Sequence, residues 1–598
     1  MKIRGGLHLQ HRIGVSREVE TSSRRCSAMY QVPVVFDGCT GWFHPGTSST
    51  GVVLCGPLGP EADYAHRSWR EFAHRLAALG ISTLRFDYRG QRDSAEYRVP
   101  DQPVRAWVDS AKNAVEWLRS EAGLKCEALV GFRLGSLIAL HAAEELGGIG
   151  RLVLMAPPIS GKAYLRELSV LRGLSQVHLT QDSPATKDTE DTVFSKVAMR
   201  QIELLGLRTG RIAPARRILT VARPGGPLTS KFEDALRKLG TVCETTPFDG
   251  YSALMVNPEA AVFPKATFDR VTSWLLEDQH LPLSQVSKLA LPTSHLVRVG
   301  VRETNLSFRE SSRLYGVMSK PVRPSADLPA IVFLNTGAIS RAGMSGMWVT
   351  LARAFAGLGY SSLRFDLAGI GDSPIRVGQK GPFLHMQEAV TDVNDTLDWL
   401  ETQGYHKFIL VGFCWGAQLA CNIAMADPRI EGQILINPRR WFWSLDTLQA
   451  PMLSLRRVLS MAGTTSGWAR LQRGHIPLSK IIDAASHLIH RALEPFHLRK
   501  NSSHNIKSAI GGLRELRSRG VESIIIQGAD DPLLQEFEAF FDTPRDGLGE
   551  LFAMKTHFAV GVGHLFQSRN SLDNLVATAS EHLRSLKSSR STPRRAKT

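Results

Sequence analysis

No run of about 18 uninterrupted apolar residues occurs in the 598-residue chain, which argues against a membrane-spanning helix. Cysteine is scarce: the seven residues are odd in number, and no CxxC or Cys/His ligand spacing joins them, which excludes a disulfide scaffold and a structural zinc site. Acidic residues are outnumbered, 56 against 72 Lys and Arg, giving a net charge of +16. That excess alone would suggest nucleic acid, yet no interleaved Arg/aromatic module, zinc finger or RNA-binding signature accompanies it, so nucleic acid is an unfavoured partner and an acidic protein at least as good a one. Residues 1–28 lack the apolar core of a secretory signal and read as a disordered extension or an overlong start. Residues 591–598 read as a basic disordered tail. A cytoplasmic, globular protein without metal or cofactor is expected from these deficits.

What the chain does have is a repeat of itself. LRFDYRGQRDS (84–94) returns as LRFDLAGIGDS (363–373), WREFAHRLAALG (69–80) as WVTLARAFAGLG (348–359), and VGFRLGSLIAL (130–140) as VGFCWGAQLAC (411–421). A duplication at this spacing fixes the architecture before any element is assigned. The two halves fall at 29–280 and 296–590, joined by a linker at 281–295. In each, short aliphatic runs such as GVVLCG, STLRFD and RLVLMAP, or AIVFLN, SSLRFD and QILINP, alternate with amphipathic helical stretches. This predicts two α/β folds, each a mostly parallel sheet flanked by helices. The long insertions at 159–215 and 439–519 read as helical caps over the C-terminal edge of each sheet, where open α/β sheets bind ligands.

Gly412-Phe413-Cys414-Trp415-Gly416 ends a strand and opens a helix. A strand turning sharply into a helix strains its central residue, the flanking glycines remove Cβ collisions, and the helix N-terminus favours an anion there. Cys414 is thereby placed to act as a thiolate nucleophile. Strand, G-x-C-x-G turn and helix, preceded by FDLAGIGDS, resemble the α/β-hydrolase superfamily. The turn GFCWGA is similar to that of dienelactone hydrolases, and the LRFDxxGxxDS stretches resemble α/β-hydrolases associated with exosortase systems. The resemblance implies the order nucleophile, acid, His. In SIIIQGADDPLL the acid before Pro is Asp531, preferred to Asp530, and VGVGHLF supplies His564. Oxyanion donors are then expected from the backbone of Trp415 and of Gly337 or Ala338.

The first half departs at every one of these positions. Arg133 stands where a nucleophile is needed, Gly226 where the acid is needed, and no His lies near Glu259. An always-protonated guanidinium cannot attack a carbonyl, so this half is expected to lack triad chemistry. Arg133 remains either a reader of a carboxylate or phosphate or an internally salt-bridged remnant. Arg341, after the oxyanion turn, and Trp441 and Trp443, at the cap entrance, are weaker candidates for charged-group and acyl contacts. His66, His74 and His141 read as packing or surface residues.

The expected activity is hydrolysis of a small carboxylic ester or thioester through an acyl-Cys414 intermediate. A thiol also suits transfer, because an acyl-enzyme thioester keeps the activation of its donor. The alternative is therefore an acyl or aminoacyl transferase working between acidic carrier proteins, resembling the Cys-dependent aminoacyl shuttles of the superfamily. A non-catalytic scaffold is the third reading, opposed by the intact Cys414, Asp531 and His564.

Overall fold

The computed structural model describes residues 31–177, 194–277, 295–438 and 511–591, apart from 209, 211, 227–228, 299, 309–312, 326, 377, 380–385, 532–533, 535–549, 551–553, 561, 564–565 and 567–568. The chain divides into two compact units. One contains residues 1–169, 188–408 and 566–598, and the other contains residues 170–187 and 409–565.

The first unit holds a complete eight-stranded sheet. Its strands are β1 (Val32–Phe36), β2 (Cys39–His44), β3 (Thr50–Cys55), β4 (Ser82–Phe86), β5 (Lys125–Phe132), β6 (Arg151–Met155), β7 (Arg217–Ala222) and β8 (Val242–Pro247), ordered 1-2-4-3-5-6-7-8. β1 and β2 are antiparallel, and β2 runs antiparallel to β4. From β4 across to β8 every pairing is parallel. The central strands are buried beyond their first residues, which is why VVLC, ALVGF and RLVLM read as continuous apolar runs. One apolar core contains residues of the helices Pro103–Ser120 and Leu134–Leu146, and the other contains those of Pro60–Ala78 and Lys265–Leu276. On the latter side Phe72 and Phe268 meet with ring centroids 4.6 Å apart.

The same unit contains β9 (His295–Arg298), β10 (Val301–Phe308), β11 (Leu314–Pro321), β12 (Ala330–Phe333) and β13 (Ser362–Asp366) of the second sheet. Here β9, β10, β11 and β13 pair antiparallel in turn and β12 lies parallel to β13. The second unit contributes β14 (Phe408–Phe413), β15 (Ile430–Ile436), β16 (Glu522–Gly528) and β17 (Lys555–Ala559), with β15, β16 and β17 parallel. Both halves thus build a mostly parallel mixed sheet flanked by helices, as the repeat predicted. Of the expected caps, the helices Gly161–Val177 and Lys196–Leu204 are present in the first half. Most of the second cap, with Trp441 and Trp443, lies outside the described residues. Among the described residues no helix is long and apolar enough to cross a membrane.

The repeated LRFD…DS stretch turns out to be an exchange of charges. Arg85 of the first copy donates to Asp372 of the second, and Arg364 of the second donates to Asp93 of the first. Arg341 joins the two pairs: its guanidinium lies 2.8 Å from Asp93, 2.8 Å from Asp366 and 2.6 Å from Asp372. Glu303 closes the cluster, 2.7 Å from both Arg353 and Arg364. Arg85, Arg341, Arg364, Asp93, Asp366 and Asp372 are all buried. The charge of Arg341, considered for substrate contact, is thus engaged internally. The serines of the motif do matching work, Ser94 accepting from Thr40 N at 2.9 Å and Ser373 from Tyr315 N at 3.0 Å.

Burial by itself would raise the Asp93 carboxyl, but Arg341 and Arg364 outweigh it and hold the pKa down to about 2. A carboxylate depressed in the folded state stabilises above its unfolded pKa, near 3.9, and loses that contribution as pH falls towards about 2. Replacing Asp93 by Asn takes one carboxylate from two buried guanidinium groups, leaving Arg341 with Asp366 and Asp372 and Arg364 with Glu303, a loss expected to cost up to about 3–5 kcal/mol. Arg105→Ala, which removes exposed pairs with Asp109 and Glu145, should cost no more than about 1 kcal/mol. Thermal melts of the two variants at neutral pH check this, and equal shifts would show that the buried exchange is energetically idle.

Candidate active site

Cys414 caps the helix Trp415–Ala426 with φ 56° and ψ −114°, a left-handed conformation that only a forced turn imposes on a side-chain-bearing residue. The cause lies in its neighbours. A Cβ on Gly412 would run into the carbonyl oxygen of Gly416, so the turn closes only with glycine there. Cys414 N donates to Ile436 O at 2.9 Å, tying the turn to β15. The thiol is half-buried and free. Burial pushes Cys39 up to about 11 and Cys126 and Cys421 up to about 12, so these thiols are poor nucleophiles at neutral pH. Trp415, the first helical residue, has an N–H with no acceptor inside its own helix.

In the second unit Asp531 is buried at the end of β16, and its Oδ2 accepts from Gln527 Nε2 at 3.0 Å. The turn carrying it is stitched to the end of β17 and the segment after it: Ala529 N donates to Ala559 O at 2.9 Å and Asp530 N to Val562 O at 3.1 Å. His564 lies outside the described residues, one position past Gly563. Asn437 was not singled out from sequence. It sits at φ 40°, and its Oδ1 accepts from Gly528 N at 2.7 Å while its Nδ2 donates to Gly563 O at 3.4 Å. One side chain therefore bridges the acid turn and the turn leading to His564. The signal was the residue type: the equivalent in the first half, Ala156, has the same backbone, φ 44°, and no polar group.

In the first unit the turn after β12 places Gly337 at φ 53°. Asn335 shapes it, donating to Ile339 O at 2.9 Å and accepting from Leu367 N at 2.9 Å. A Cβ on Gly337 would strike the Glu259 carboxylate, which comes from the first half's degenerate loop.

Arg133 repeats the Cys414 geometry with φ 55° and ψ −124°. A Cβ on Gly131 would meet Ser136 Cα, and one on Gly135 would meet the carbonyl oxygens of Cys55 and Gly56. Its side chain is fully buried and looks inward, 2.8 Å from Glu61 and 3.1 Å from Glu167, with the guanidinium 5.3 Å from the Tyr164 ring. Tyr164 donates to the other Glu61 oxygen at 2.9 Å, and Arg223, beside the position of the missing acid, pairs with Glu167. Burial raises the Glu61 carboxyl even though Arg133 and Tyr164 pull it down.

A strand–turn–helix elbow on a parallel sheet, with an acid after a later strand, defines an α/β hydrolase. The family described as serine aminopeptidase, S33, matches residues 62–200 and 327–534, more than half of the sequence, and the chain belongs to it. At both elbows it departs from the serine of that description. No curated protein matches the chain. Similar solved structures include an α/β serine hydrolase homologue from Coxiella burnetii at 15% identity, covering 47% of this chain and 96% of that one with a TM-score of 0.28. Dienelactone hydrolase from Anabaena variabilis is similar at 14% identity, 47% and 96% coverage and TM-score 0.28. A carboxylesterase structure from Nitrososphaera gargenis has 16% identity, 47% and 99% coverage and TM-score 0.29.

Arg133→Met should destabilise the protein by about 3–5 kcal/mol, since it strands the Glu61 carboxyl in the interior. Adding Glu61→Gln should recover part of that loss, because the two residues share one interaction. Denaturant titration of both variants reads this out, and strictly additive losses would contradict the pairing.

Proposed function

We propose that the protein hydrolyses a carboxylic ester or thioester through an acyl-Cys414 intermediate formed in its second half. The observation that carries this reading is the strained elbow, which holds a free, half-buried thiol at a helix N-terminus. In this reading His564 takes the Sγ proton as the sulfur attacks the carbonyl carbon, and Asp531 orients the imidazole and stabilises its cation. The oxyanion is held by Trp415 N–H and by a donor from the turn at Gly337 and Ala338. Ala338 is the better of those two, because the Glu259 carboxylate lies against Gly337. As the tetrahedral adduct collapses, His564 returns the proton to the leaving oxygen or sulfur. It then deprotonates water, which attacks the thioester and releases the acid and free Cys414.

The first half takes no covalent part. In this reading Arg133 fills its own elbow as an internal counter-charge to Glu61 and Glu167. One observation favours the transferase alternative: a thiol stands where the family description has serine, and an acyl-thioester passes to another thiol with little change in free energy.

Cys414→Ala should abolish turnover without unfolding the protein, since a small thiol is lost. Intact-mass analysis with a panel of acyl thioesters should show one acyl adduct in the native chain and none in the variant; an adduct surviving in Cys414→Ala would sink the assignment. Asp531→Asn should lower the rate by orders of magnitude while Asp530→Asn is mild, and steady-state rates giving the reverse order would move the acid by one residue.

A further inference from the structure

The helix Pro60–Ala78 belongs to the inert half, yet it lines a cleft at the second half's oxyanion turn. That cleft, about 20 Å³, is bounded by Asp63, Tyr64, His66, Arg67 and Pro258 on one side and by Ala338, Ser340 and the Gly369–Gly371 loop on the other. Its volume admits one small group. Asp63 and His66 also line an adjoining cavity of about 210 Å³ walled by Trp42, Trp69 and Tyr88.

Two of the cleft's side chains have no partner among the described residues, and they lie three apart on one helix face. Arg67 is half-buried and makes no hydrogen bond or ion pair, and burial lowers its pKa with only Glu71 opposing. Glu71 is itself engaged by Arg75 at 3.0 Å. Tyr64 is partly buried and its hydroxyl makes no hydrogen bond. The neighbouring arginines are satisfied: Arg92 by Asp63, Arg85 and Arg341 by Asp372, and Arg70 by the backbone of Gly371 and Ser373. An arginine that gives up half its hydration with no opposing charge but a carboxylate already paired to Arg75, beside a side-chain-poor glycine loop, is a ready receptor for an anion.

We propose that Arg67 and Tyr64 form a binding site for an anionic group, carboxylate or phosphate, on a substrate whose carbonyl is held at the Gly337–Ala338 turn. The inference rests on the reading of that turn as an oxyanion donor. It gives the inert half a task in selecting the substrate. A carboxylate would sit at the far end of the acyl chain; a phosphate would sit on the leaving thiol, as in the phosphopantetheine arm of a carrier protein.

Three probes separate these sources: acetyl-pantetheine, which is uncharged, succinyl-pantetheine and acetyl-4′-phosphopantetheine. Binding to the full chain carrying Cys414→Ala, measured by calorimetry, should favour one charged probe over acetyl-pantetheine by roughly tenfold or more, the scale of a hydrogen bond to a charged group. Adding Arg67→Gln should erase that preference and leave acetyl-pantetheine unchanged, with the melting temperature confirming the fold. Equal affinities for all three probes, no binding of either charged one, or a preference that survives Arg67→Gln would overturn the site. Acylation of native Cys414 by acetyl-pantetheine, followed by mass, is read separately. Its absence alongside an Arg67-dependent preference defeats the catalytic reading but not the site, and its presence without the preference does the opposite.

Discussion

The reciprocal exchange of Arg85 with Asp372 and Arg364 with Asp93 is the constraint on which the arrangement of the two halves depends. Each partner is buried, and each would be intolerable alone, because a charge removed from water without its counter-ion costs several kcal/mol. The pairs are related as contacts are across an isologous interface, residue i of one copy meeting residue j of the other and the reverse. Arg341 has no counterpart in this exchange. It breaks the symmetry by binding Asp93, Asp366 and Asp372 at once, and Trp42 lies under its guanidinium at 5.3 Å.

Much of the fold was legible because parallel strands buried on both faces leave uninterrupted aliphatic runs, and the second copy doubled the signal. The edge strand β8, VCETTP, escaped notice because it is half-exposed and carries no such run. β9 and β10 escaped for the same reason: HLVR and VRETNLSF alternate and carry charge. The elbow was legible because glycines mark close backbone approach, and Gly131, Gly135 and Gly412 meet the atoms that such a role requires. The contribution of Asn437 was carried only by its residue type against Ala156 of the first half, since a side chain bridging two turns leaves no periodicity and no motif. The charge exchange was equally hidden. LRFD…DS was visible as a repeat, but nothing in one copy says that its partner is the other.

The two elbows show how far chemistry can drift while the backbone stays fixed. Arg133 and Cys414 share φ within a degree, and both donate their N–H to the end of the next strand, Met155 O and Ile436 O. The strained turn persists in the first half although Arg133 stands there in place of Cys414. Its upkeep follows from packing, since Gly135 presses against the carbonyls at the end of β3 and Gly131 against the start of its own helix, while Arg133 packs with Glu61, Tyr164 and Glu167. The elbow of the first half has thus become a packed cluster of paired charges.

The exchange also sets how this gene can change. Arg85 and Asp372 are separated by 287 positions in sequence and bonded in space, so a substitution at one is compensated only by a substitution far downstream. A crossover or deletion between the repeats would leave each fragment with an unpaired buried charge on the face it once shared. The duplicated copies have drifted apart in their reacting groups, yet at these few positions they are bound to be inherited together, and neither copy can be shed to leave a shorter enzyme.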